Sequence, residues 1–90
     1  MVVTINNKRR VIKPSNISYH TESSFHANYK GHQITIEEQE ARGSKWYAQV
    51  THPDGCYIVD GYFDHDTMYG VIELCLENIF FEERVGVIKS

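Results

Sequence analysis

Five histidines, His20, His26, His32, His52 and His65, stand in a chain of 90 residues. Imidazole is the commonest protein ligand for zinc-like ions, so a metal site is the first chemistry to test. Structural zinc sites are built from close ligand pairs such as C-x-x-C or H-x-x-x-H. Here His20, His26 and His32 are spaced six apart, a separation of about 20 Å along an extended strand. Asp64-His65-Asp66 offers three donors in a row, but adjacent residues at a helix start point in different directions. The histidines therefore read first as surface groups and helix caps, and a histidine-based metal-binding protein is an alternative. Cys56, with His52 across a turn, could act as a nucleophile only in an electropositive, partly open setting that favours the thiolate. Cys56 follows Asp54, and Cys75 lies among apolar residues; both read as small core residues. The paired carboxylates Glu37-Glu38 and Glu82-Glu83 do not make acid/base pairs, because neighbouring side chains on a strand face opposite ways. No dinucleotide, P-loop, zincin or nucleophile-elbow motif occurs. The expectation is a protein that is not an enzyme and takes no cofactor.

The elements that would position these groups follow from periodicity. Val2–Ile5 and Arg9–Ile12, around the polar Asn6-Asn7-Lys8, read as a hairpin that Pro14 ends, because proline has no amide for a ladder. A short strand is expected at Ile17–His20. Phe25, Ala27 and Tyr29 alternate with His26, Asn28 and Lys30, and Ile34 and Ile36 alternate with Thr35 and Glu37, the period of a half-buried strand. Ala41-Arg42-Gly43-Ser44 reads as a turn. Beyond it Trp46, Ala48 and Val50 face one side and Tyr47, Gln49 and Thr51 the other. His52-Pro53-Asp54-Gly55 is a strong turn signal, and Cys56–Val59 reads as a last strand before Gly61. Residues 66 to about 83 read as one long helix, with Asp64 or Asp66 as its cap. Met68, Val71, Ile72, Cys75, Leu76 and Ile79 form its apolar stripe. Leu74 and Phe81 lie off that stripe, near Gly70 and Glu77. The tail, with Val85-Gly86-Val87-Ile88, is too apolar to be left free in water.

The predicted fold is α+β: a single domain over residues 1–90, with an antiparallel meander sheet of four to six strands and one long C-terminal helix packed on one face. Hydrophobic residues make up 41% and charged residues 23% of the chain, values that exclude general disorder and a disulfide scaffold. No apolar run approaches the roughly 20 residues of a membrane helix. Met1–Ile5 does not resemble a secretory leader. With only two cysteines, a reducing cytoplasm is the expected compartment.

The net charge of −3 is unevenly spread. Residues 1–30 carry Lys8, Arg9, Arg10, Lys13 and Lys30 against Glu22, a net +4, while residues 31–90 carry four basic residues against eleven carboxylates, a net −7. Most of the chain would repel a phosphate backbone. A nucleic-acid partner is therefore not expected; if there were one, Lys8, Arg9, Arg10 and Lys13 would be its contacts. Tyr47 and Tyr57 are expected on the sheet face opposite the helix, where aromatics can form a stacking platform. The candidate interaction surface is Tyr47, Tyr57, Leu74, Phe81, Val87 and Ile88, and a protein partner or self-association is the expected use.

From residue 32 to about 80 the chain carries Trp46-Tyr47-Ala48-x-Val50, then Pro53-Asp54-Gly55, then Asp60-Gly61, then Thr67 opening a helix with Val71, Ile72, Leu76 and Ile79. This order resembles the HicB-type antitoxin domain. The resemblance implies a degenerate ribonuclease-H-like α+β fold that binds a small toxin and dimerises, with no catalytic residue to carry over. Asp54 interrupts the usual Pro-Gly, and no DNA-binding element follows the helix. The chain also resembles, in a general way, short proteins of cyanobacterial genomes, which implies no activity.

Overall fold

Strands whose side chains alternate between core and solvent pair most simply with their sequence neighbours, and this chain folds by that rule. The computed structural model describes residues 1–5, 7–39 and 45–85, and for residues 82–85 the backbone alone. Its elements are β1 (Val2–Ile5), β2 (Lys8–Val11), a 3₁₀ turn (Pro14–Asn16), β3 (Ile17–His20), β4 (Ser24–Tyr29), β5 (His32–Glu38), β6 (Trp46–Thr51), β7 (Tyr57–Phe63) and α1 (Met68–Val85). β3 to β7 form a five-stranded antiparallel meander in sequence order, and α1 lies on one face of it. The architecture is α+β, as the periodicity predicts.

The hairpin β1–β2 forms a separate two-stranded sheet. Pro14 cannot donate to a ladder, and the 3₁₀ turn that it opens redirects the chain before β3 begins. Val3, Ile5 and Ile12 are nevertheless buried in the same core as Phe25, Ala27, Ile34, Ile36, Ala48, Val50 and Val59 of the large sheet and Val71, Ile72, Cys75, Leu76 and Ile79 of α1. The helical stripe read from the sequence is the buried stripe, with Met68 half-buried at its start.

Tyr29 pairs with His32, which leaves Lys30 and Gly31 as a two-residue connection at φ of 52° and 83°. This left-handed pair matches the twist of the flanking strands, and Asn28 supports it by accepting the Gly31 amide at 3.2 Å. A Cβ on Gly31 would sit 3.0 Å from Pro53 Cγ, so this turn and the 52–55 turn pack against each other.

Three expectations are corrected. β7 runs through Gly61 to Phe63, because that glycine is not in the left-handed region, where the positive-φ glycines are Gly31 and Gly55. The helix starts at Met68 rather than at residue 66, and its first-turn amide on Gly70 is accepted by Thr67 Oγ1 at 3.2 Å, so Thr67 and not Asp64 or Asp66 provides the cap. Cys56 is exposed: it lies outside β7, its amide donating to Asp54 Oδ1 at 3.0 Å. The turn expected at residues 41–44, the Glu82-Glu83 side chains and the apolar tail with Val87 and Ile88 lie outside the described residues.

The two thiols consequently differ. Cys75 has no exposed surface, and burial pushes it up to about 12. Cys56 is raised by the neighbouring Asp54 carboxylate but open to reagent. A thiol-specific chromogenic disulfide is expected to titrate Cys56 in the native protein, slowly for an exposed thiol, and Cys75 only after denaturant is added. Reaction of both at equal rates in native buffer would contradict the burial of Cys75.

Candidate functional site

The strand register lays the outward side chains of the large sheet in rows. Ser24, Glu37, Tyr47 and Tyr62 are successive cross-strand partners; His26, Thr35, Gln49 and Asp60 form the next row, and Asn28, Gln33, Thr51 and Tyr57 a third. Tyr19 of β3 pairs with His26, with ring centres 5.5 Å apart. The opposite face carries the core, so this face has no helix over it. Tyr19, Tyr57 and Tyr62 are 52%, 60% and 45% exposed, and Tyr47 is half-buried.

Two hydrogen-bonded clusters fix the face. Ser24 Oγ donates to Glu37 Oε1 at 2.6 Å, and His26 Nε2 lies 2.5 Å from Glu37 Oε2. The Ser24 hydroxyl, and after it His26, hold the Glu37 carboxyl below its ordinary value of 4.5. Beside this cluster the Tyr47 hydroxyl donates to Asp60 Oδ1 and accepts from Gln49 Nε2 at 3.2 Å. The ionised Asp60 stabilises the protonated phenol, raising Tyr47 above its ordinary value of 10.0. Tyr47 and Tyr62 are tilted neighbours with ring centres 5.2 Å apart.

Serine, histidine and glutamate in one cluster suggest a nucleophile relay, but the order is wrong for one. A relay needs the imidazole between hydroxyl and carboxylate, whereas here serine and histidine both bind the carboxylate. The arrangement orients Glu37 and puts no imidazole on Ser24 Oγ. A cleft of about 210 Å³ between the hairpin and α1 is lined by Thr4, Ile5, His65, Glu73, Leu74 and Glu77. Among the described residues no group of three or more His, Cys, Asp or Glu side chains could hold a metal ion.

The residues singled out from sequence are divided by the structure. Tyr47 and Tyr57 share the open face. Leu74 is half-buried and packs on the core, while Phe81 is 57% exposed on α1, so neither adjoins the tyrosines. Of the basic cluster, Lys8 and Arg10 pair with Ile5 and Val3, whose side chains face the core, and Arg9 pairs with Thr4, which puts Arg9 on the other side of the hairpin. The Arg10 guanidinium sits 4.3 Å from the centre of the Phe80 ring. Lys8, Arg9 and Lys13 are exposed. Sequence reasoning missed Tyr19, His26, Glu37, Asp60 and Tyr62 as members of one surface; only the pairing register unites them.

Glu37 makes this surface sensitive to acid. A carboxyl with a depressed folded pKa contributes stability above its unfolded value, and that contribution is lost as pH falls through the folded value. The Ser24–Glu37–His26 cluster is therefore expected to weaken below about pH 4.5. Glu37→Gln should flatten the acid limb of stability measured by urea denaturation, by less than about 1 kcal/mol because the side chain is half-open to solvent. An unchanged acid limb would rule out the cluster as its source.

Compared with known proteins, the chain matches no family model, no curated protein sequence and no solved structure. No helix among the described residues is long and apolar enough to cross a membrane.

Proposed function

We propose that the protein is a non-enzymatic interaction module that receives a basic, arginine-bearing protein surface on its open sheet face. The observation that carries this is the grouping of Tyr19, Tyr47, Tyr57 and Tyr62 with two oriented carboxylates, Glu37 and Asp60, on the face that no helix covers. Arginine stacks on aromatic faces and pairs with carboxylates, and tyrosine and arginine are the residues in which interface hot spots are richest. The same chemistry occurs inside the molecule, where Arg10 lies over Phe80. The two carboxylates disfavour a nucleic-acid strand here, and the basic hairpin offers a divided rather than a continuous charged surface.

A small basic toxin, the partner that the HicB-type resemblance implies, has the required chemistry. A second copy of the chain, docking through Arg9 and Lys13, is the self-associating form of the same reading. The free thiols Cys56 and Cys75 suit a reducing cytoplasm.

The test is an amide chemical-shift titration with a short arginine-rich peptide, a lysine peptide of equal charge and a single-stranded oligonucleotide. The arginine peptide is expected to perturb residues of β6 and β7 around Tyr47, Asp60 and Tyr62, and to do so more strongly than lysine. No perturbation at millimolar peptide, or stronger binding of the oligonucleotide, would overturn the proposal. Light scattering over a concentration series decides between a second copy and a separate partner.

A further inference from the structure

His32 and His52, twenty positions apart in the chain, meet at the end of the β5–β6 ladder. Gln33 pairs with Thr51 and both point to the open face; one step further along, His32 and His52 stand across from each other on the helix side. Their ring centres are 5.1 Å apart, with planes at 88°. The packing of Pro53 against Gly31 holds the two turns together.

Each ring is anchored through Nδ1. His32 Nδ1 lies 3.2 Å from the Tyr29 carbonyl oxygen and 3.1 Å from that of Lys30. Carbonyls only accept, so the proton is on Nδ1 and Nε2 carries a lone pair. That Nε2 is buried without a hydrogen-bond partner in a residue only 4% exposed, and a buried polar atom left unpaired is costly. His52 Nδ1 accepts from the Asp54 amide at 3.2 Å, with Asp54 Oδ1 2.9 Å from the same nitrogen. An ion bound at His52 Nε2 would leave the ring proton on Nδ1, where Asp54 Oδ1 stands ready to accept it. Metal-ligating histidines are held in this way, with one ring nitrogen donating to a carbonyl or carboxylate and the other left for the ion. With Nε2–metal bonds of about 2.0–2.1 Å and near-tetrahedral angles, two imidazole centres fall roughly 5 Å apart, as observed here.

We propose that His32 and His52 form a two-imidazole chelate for a divalent late transition ion, with water completing the shell and Asp54 positioning His52. With two protein ligands the site would be exchangeable rather than a closed structural centre. Imidazole selects zinc, nickel and copper over magnesium and calcium, and copper(II) should bind most tightly of the divalent series. The site lies on the face opposite the tyrosines and stands independently of the function proposed above.

The test is a calorimetric titration of untagged protein with zinc chloride and, separately, copper(II) sulfate at pH 7.5. One ion per chain is expected, with copper tighter than zinc and no binding of magnesium. His52→Asn and His32→Asn should each weaken binding at least tenfold, and Asp54→Asn about tenfold by removing the carboxylate that holds the His52 ring. His20→Asn, His26→Asn and Cys56→Ser should leave it unchanged. Long-range nitrogen–proton spectra of the metal-free protein should show the Nδ1–H tautomer at His32 and the Nε2–H tautomer at His52, and zinc should shift both Nε2 resonances and move the His52 proton to Nδ1. The inference is overturned by zinc binding no tighter than millimolar, by binding that survives His52→Asn, by binding that Cys56→Ser removes, or by an Nε2–H tautomer at His32. His52 has the more exposed side chain, at 19%, so its variant decides the matter even if His32→Asn fails to fold.

Discussion

Phe25→Ala is expected to destabilise the protein by about 3–5 kcal/mol, the usual cost of removing a buried aromatic ring. Phe25 has no exposed surface. It stands opposite Ile36 in the β4–β5 ladder, and its ring meets that of His20 edge-on with centres 5.1 Å apart. Among the described residues it is the largest of the fully buried side chains. A chain of this size has roughly 5–13 kcal/mol to lose, so the substitution removes a large share of the total. Thermal unfolding followed by circular dichroism should show a midpoint lower by more than about 12 °C. Phe81→Ala supplies the contrast: the same atoms are deleted from a residue 57% exposed on α1, and less than about 1 kcal/mol should be lost. Equal effects at the two positions would contradict the placement of the core.

The contrast between these two phenylalanines was legible in the sequence. Phe25 begins an alternation with period two through Ala27 and Tyr29, whereas Phe81 falls off the helical stripe of Val71, Ile72, Cys75, Leu76 and Ile79. One-sided burial leaves its mark residue by residue, which is why the meander and the packed helix could be anticipated. Register leaves no such mark. Thr51 pairs with Tyr57 while Val50 pairs with Val59, so Ile58 is an extra residue in β7. That irregularity turns Tyr57 to the open face beside Thr51, while Cys56, which alternation from residue 56 would bury, precedes β7 in the turn and is exposed. The same dependence on register hid the surface. Glu37 meets Tyr47, and Tyr47 meets Tyr62, across connections whose geometry no local pattern encodes. His32 and His52 were each visible as potential ligands, and their pairing follows only from the Gln33–Thr51 rung. The polar Asn6-Asn7-Lys8 between two apolar runs marks the hairpin, but nothing local to residues 1–12 shows that it forms its own sheet.

Asp60→Lys is expected to weaken binding of the arginine-rich peptide by at least tenfold, about 1.4 kcal/mol or more, while leaving the fold within about 0.5 kcal/mol of the parent. Asp60 is exposed, and the Tyr47 hydroxyl still accepts from Gln49 when the carboxylate is gone, so a loss of affinity cannot be traced to unfolding. Tyr47→Ala and Tyr62→Ala test the other half of the surface, and each should cost about 2 kcal/mol if the rings act as interface anchors. Salt separates the two contributions. Exposed charges are screened beyond about 8–10 Å at moderate ionic strength, whereas stacking on a ring is screened far less. In the parent protein, raising salt should weaken the peptide but leave binding measurable. In Asp60→Asn the salt dependence should flatten, and in Tyr47→Ala it should persist on a lower affinity. Asp60→Asn also removes the negative charge beside the Tyr47 phenol and leaves a weaker, neutral acceptor, so ultraviolet titration should find Tyr47 ionising at lower pH. If Asp60→Lys binds the peptide as the parent does while Tyr47 titration shifts as expected, the geometry of the face is right and its assignment to a basic partner is wrong.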